Sequence, residues 1–145
     1  MSDVLDSASD GRRLRIAVAD DEYELRQYFA RVLPHLGYEV VILVADGEEL
    51  VRLSQKSRPD LVITDVILPG MSGTVAVSVI RRWHPVAAVF VTENAFEDSA
   101  ASSAERCVAL AKPFAMSELP HAIDRAMLLR SELERHVRFL RDWDI

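Results

Sequence analysis

Five short apolar runs, separated by amphipathic stretches long enough to be helices, restrict this chain more than any other feature. They are LRIAVA (14–19), VVILV (40–44), LVITDV (61–66), AAVFVT (87–92) and CVALA (107–111). All but the fifth are rich in valine or isoleucine, and none alternates cleanly with polar residues, the pattern of strands covered on both faces. A parallel sheet is therefore expected. Residues 23–36 carry Leu25, Phe29, Val32, Leu33 and Leu36 at helical spacing, and Gly37 follows as a stop. Residues 47–57 supply Leu50, Val51 and Leu53 before Arg58-Pro59, and residues 74–83 end near His84-Pro85, so two more crossover helices are predicted. Residues 94–105, rich in alanine and serine, form a weaker helical pattern. Pro113 and Ser117 introduce a long helix from about Glu118. Strand alternating with helix five times implies right-handed crossovers and a doubly wound α/β sandwich with helices on both faces.

The 145 residues suit one domain, enough for a core burying roughly two thirds of the unfolded surface. A formal charge of -6 argues against a general binder of phosphate backbones, so no direct nucleic-acid partner is expected. The single cysteine, Cys107, has no internal partner for a disulfide and sits in an apolar stretch, which suits a reducing compartment and core packing. No run reaches the roughly 18 apolar residues of a membrane span, and the leader MSDVLDSASDGRR is acidic where a signal peptide is basic and then apolar. A cytoplasmic location without a membrane partner is the expectation, with residues 1–13 as a flexible extension.

Ligands of doubly wound sheets bind beyond the carboxyl ends of the strands, and here those ends are polar. The first run ends in Asp20-Asp21, the third reaches Asp65, the fourth ends at Thr92 and the fifth at Lys112-Pro113. Each has a structural explanation by itself: acidic residues favour the first turn of a helix, threonine is a strand former, and lysine is usually a surface residue. Asp65 fits that explanation least, because a carboxylate in an apolar strand is desolvated unless something compensates its charge. Three carboxylates at one edge, with no histidine or cysteine among them, suit Mg²⁺. Asp65 could then act as an oxygen nucleophile toward phosphorus, with the metal and a lysine neutralising charge and Thr92 donating a hydroxyl to the phosphoryl oxygens.

In order and spacing, Asp20-Asp21, the stretch DVILPGMSG from Asp65 to Gly73, Thr92 and Lys112-Pro113-Phe114 resemble the receiver domain of two-component response regulators. The resemblance spans roughly residues 14–130 and implies a flavodoxin-like five-stranded sheet of order 2-1-3-4-5, an order that periodicity alone does not give. It implies that Asp65 accepts a phosphoryl group from a histidine kinase or histidine phosphotransfer protein and acts as a switch. Asp21 would bind Mg²⁺ directly, Asp20 mainly through a metal-bound water, and the backbone carbonyl of Ile67 would complete the ligand set with Asp65. Thr92 and Lys112 would hold the phosphoryl oxygens, Pro69 and Gly73 would shape the loop, and the Lys112–Pro113 bond would be cis. Such a domain assists its own phosphorylation and dephosphorylation but is not an enzyme with a separate substrate.

Two positions depart from the family pattern. Three residues before the lysine, where the family usually has an aromatic switch, stands Ala109, and after Thr92, where it usually has a small residue, stands Glu93. Phe96 is a candidate replacement for the missing aromatic. These departures keep open a pseudo-receiver that binds a partner without phosphorylation. A hydrolase with an aspartyl-phosphate intermediate ranks last, since its D-x-D pattern would sit at the end of strand one, where this chain has Asp20-Asp21-Glu22. The final apolar stripe, Leu119, Ile123, Ala126, Leu133, Val137 and Leu140, runs past the usual receiver boundary. Residues 131–145 are therefore expected to be a helical extension, either packed on its own domain or part of a homodimer.

Overall fold

The valine- and isoleucine-rich runs form strands, and both sides of the sheet they build are covered. A computed structural model describes residues 12–93 and 107–143, with side chains at 137 and 140–143 left undescribed. The strands are β1 (Arg15–Ala19), β2 (Glu39–Val44), β3 (Leu61–Asp65), β4 (Ala87–Thr92) and β5 (Val108–Ala111). The helices are α1 (Tyr23–His35), α2 (Gly47–Ser57), α3 (Gly73–Ile80) and α4 (Glu118–Trp143). All strand pairs are parallel, in the order β2-β1-β3-β4-β5, so the flavodoxin-like arrangement is the one the chain adopts. The helix expected over residues 94–105, with Phe96, lies outside the described residues.

Alternate residues of each strand feed two cores, as the pleat requires. Ile16, Val18, Ile63 and Val89 pack with Phe29 and Leu33 of α1 and Leu119 and Ile123 of α4. Ala17, Val62, Ala88 and Phe90 pack on the opposite face with Leu50 of α2 and Val77 and Ile80 of α3. Cys107 is buried in the second core.

Helix ends follow local chemistry. Gly37, at φ 101°, ends α1: its N–H donates to the Pro34 carbonyl, and the Tyr38 N–H reaches back to the Leu33 carbonyl. Asp46 caps α2 by accepting from the Glu49 N–H at 2.8 Å, and Ser72 caps α3 through the Val75 N–H. α3 is shorter than the spacing predicts, because residues 81–83 turn away and the Arg81 Nε donates to the Val86 carbonyl. At the start of α4, the Glu118 carboxylate accepts from the Ala115 N–H at 2.8 Å.

The amino edge of the sheet is held by one carboxylate. Asp60, just before β3, accepts the Arg15 N–H of β1 at 2.9 Å on Oδ2 and lies 3.6 Å from Arg130 Nη1 of α4 through Oδ1. Its backbone N–H donates to the Arg15 carbonyl, and its carbonyl accepts from Ala87 of β4. Beside it, His84 is buried, with Nε2 at 2.6 Å from the Pro59 carbonyl.

Candidate functional site

Register alone brings the strand-end residues together at the opposite edge. Ala19 pairs with Thr64, so the next residues, Asp20 and Asp65, leave β1 and β3 side by side. Asp65 pairs with Val91 of β4, and Thr92 with Ala111 of β5, which carries Thr92 and Lys112 to the other flank. The Lys112 N–H donates to the Thr92 carbonyl at 2.9 Å, and the Lys112–Pro113 bond is cis.

Asp20, Asp21 and Asp65 each present a carboxylate oxygen within 4.8 Å of the other two. Lys112 Nζ donates to Asp65 Oδ2 at 3.1 Å and lies 3.9 Å from Asp20 Oδ2 and 4.0 Å from Glu22 Oε1. Asp20 is only 1% exposed; its Oδ1 accepts the Glu22 N–H at 2.9 Å, while its buried Oδ2 has no hydrogen-bond donor. Burial raises the pKa of Asp20; the Glu22 N–H and Lys112 oppose this, and the charges of Asp65 and Glu22 add to it. For Lys112, burial alone would lower the pKa, but the hydrogen bond to Asp65 and the charges of Asp20, Asp65 and Glu22 outweigh it and the pKa is raised. A desolvated carboxylate oxygen without a donor, beside two further carboxylates, is a donor set that fits a hard divalent cation such as Mg²⁺.

The loop after β3 closes tightly on this cluster. The Gly73 N–H donates to the Val66 carbonyl at 2.8 Å, and a Cβ at Gly73 would stand 2.0 Å from the Asp65 carbonyl oxygen. Thr64, fully buried, donates its hydroxyl to the same carbonyl at 2.9 Å. Ile67 stands in this loop with its side chain 77% exposed, and Thr92 is buried at the end of β4. The structure thus gathers Asp20, Asp21, Asp65, Thr92 and Lys112 at one edge.

Neighbours that sequence reasoning did not assign to the site are also present. Glu22 faces Lys112, Thr64 braces the Asp65 backbone, and Arg26 Nη1 donates to the Asp20 carbonyl at 2.8 Å. Beside Lys112 opens a cleft of about 570 Å³ lined by Glu22, Leu25, Tyr28, Glu93, Lys112, Pro113 and Phe114. Glu22 directly follows the Asp20-Asp21 pair and Phe114 closes the Lys112-Pro113-Phe114 motif, and these positions were the available signal. Ala109 pairs with Phe90 on β5 and is half-buried, and Glu93 is exposed.

The family described as "Response regulator receiver domain" matches residues 16–124. The chain belongs to this family. Among similar proteins, the transcriptional regulatory protein PdtaR of Mycobacterium tuberculosis is 36% identical over 115 residues, 78% of this chain and 56% of that protein. A protein-glutamate methylesterase/protein-glutamine glutaminase of Anaeromyxobacter dehalogenans is 31% identical, over 93% of this chain and 42% of its own length. The chain spans about half the length of these curated relatives. A receiver domain structure from Clostridium thermocellum superposes with a TM-score of 0.71 at 28% identity, covering 82% of this chain and 98% of that one. This receiver domain is thus a module of two-component signalling, in a family that is generally regulatory. Among the described residues, no helix is long and apolar enough to cross a membrane.

Proposed function

We propose that this receiver domain takes a phosphoryl group onto Asp65 from a phosphohistidine on a histidine kinase or histidine phosphotransfer protein, and acts as a cytoplasmic switch. The observation that carries the reading is Lys112 Nζ at 3.1 Å from Asp65 Oδ2, beside an Asp20 oxygen that lacks a donor. Asp20, Asp21, Asp65 and the Ile67 carbonyl would hold Mg²⁺, which when bound offsets the carboxylate charges and the charge of the transferring group. Asp65, held by the Thr64 hydroxyl and the Gly73 turn, supplies the attacking oxygen. Lys112 and the Thr92 hydroxyl would hold the phosphoryl oxygens once transfer is made. In this reading residues 14–130 form the receiver, residues 1–13 an N-terminal extension and residues 131–145 a C-terminal extension.

Incubation with acetyl phosphate and Mg²⁺, followed by intact-mass measurement, tests the assignment. Wild type gains one phosphoryl group and Asp65→Asn gains none; equal labelling of the two would refute it. Ala109 in place of the usual aromatic favours a second reading, a phosphorylation-independent interaction module. That reading requires a wild-type protein that takes up no phosphoryl group under the same conditions.

A further inference from the structure

Two more carboxylates stand beside the cleft at Lys112. Glu22 Oε1 lies 4.0 Å from Lys112 Nζ, Glu93 directly follows Thr92, and both residues are exposed and line the cleft beside Lys112. The remaining lining is apolar or aromatic, with Tyr28 and Phe114 in edge contact at 6.0 Å. Lys112, the one cation in the lining among the described residues, is engaged by Asp65, Asp20 and Glu22. Arg26 is directed elsewhere, donating to the Asp20 carbonyl and standing 5.7 Å from the Tyr23 ring centre. An apolar floor with an acidic rim treats two kinds of donor differently. A small anionic donor meets like charge on its way in. A protein segment with an apolar side chain and a nearby lysine or arginine is attracted by the same charge.

We infer that Glu22 and Glu93 filter phosphoryl donors by charge, disfavouring small anionic donors and favouring a phosphohistidine segment that bears lysine or arginine beside an apolar contact. This rests on the proposed role of Asp65. The transfer itself is the same for both donors. An Asp65 oxygen forms the new P–O bond while the donor's P–N or P–O bond breaks. The electron pair stays on the imidazole nitrogen, which takes a proton from water, or on the acetate oxygen. The filter acts on the approach, through the local concentration of donor at the cleft.

Two synthetic phosphohistidine peptides, identical except for lysine or glutamate flanks, and acetyl phosphate as the small anion, test this on the full chain with Mg²⁺. Wild type labels faster with the lysine-flanked peptide. Glu22→Gln with Glu93→Gln slows labelling by that peptide and speeds labelling by acetyl phosphate, each by about three- to tenfold at low salt. Both changes shrink at high ionic strength, and Glu93→Asp keeps the wild-type preference. A general structural lesion would move both rates the same way, and that result, or an unchanged peptide preference, overturns the filter while leaving Asp65 as acceptor. Absence of labelling from every donor overturns the Asp65 assignment and the filter with it.

Discussion

Asp20 shows at the scale of one residue why this edge of the sheet invites a cation. A carboxylate with one oxygen buried and undonated is unfavourable to fold, and the Asp65 charge beside it adds repulsion. Asp20→Asn keeps an oxygen for the Glu22 N–H and removes that charge. In metal-free protein it should raise the thermal midpoint, by about 1–2 kcal/mol of stability, the scale for relieving one poorly satisfied buried group. Wild type should be stabilised by millimolar Mg²⁺ and the variant much less, since binding to the native state alone raises its stability. Melting curves of both proteins with and without Mg²⁺ decide this, and a lower metal-free midpoint in the variant contradicts it.

The elements carry their own tests, and they show where the sequence was readable. Gly73→Ala forces a Cβ against the Asp65 carbonyl at the start of α3, so we expect a loss of more than about 2 kcal/mol in urea unfolding. Slower phosphorylation of the folded fraction should accompany it, because the same contact positions Asp65. At the far end, α4 runs unbroken to Trp143, with Leu128 61% and Phe139 60% exposed. That much exposed apolar surface on one helix suits an association face, so the full chain should sediment as a larger species than a chain ending at Arg130. Identical monomers remove the idea. The strands, α1 and α2 were legible to within a residue or two because apolar runs and caps are local signals. The strand order came only from the family resemblance, since periodicity does not say which strands are neighbours. For the same reason Glu22 beside Lys112 and Asp60 between Arg15 and Arg130 were not legible: each is a contact across elements.

Across the whole molecule the two edges of the sheet are built differently. At one, Lys112 faces the carboxylates of Asp20, Glu22 and Asp65, and at the other, hydrogen bonds of Asp60 to Arg15 and Ala87 close the sheet. His84 reports on the closed edge. Burial pushes its pKa down, against the hydrogen bond to Pro59; Arg58 and Arg130 add to the lowering, and Asp60 opposes it. The unfolded chain therefore takes up this proton first as pH falls. The stability contributed by the neutral ring is complete above about pH 6.5 and is lost as pH drops toward the lower folded value. Wild type should lose thermal stability between pH 7 and 5 more steeply than His84→Gln, and parallel pH profiles would exclude the effect. Asp60 has one more consequence. β3 is fastened at its foot to β1, β4 and α4, while its tip carries Asp65 five positions on. Mechanically that is a cantilever: a load applied at the tip deflects the overhanging loops and leaves the root still. A negative charge added at Asp65 should accordingly change amide exchange in the loop beyond β3, and leave the amides of Arg15, Asp60 and Ala87 as slow as before.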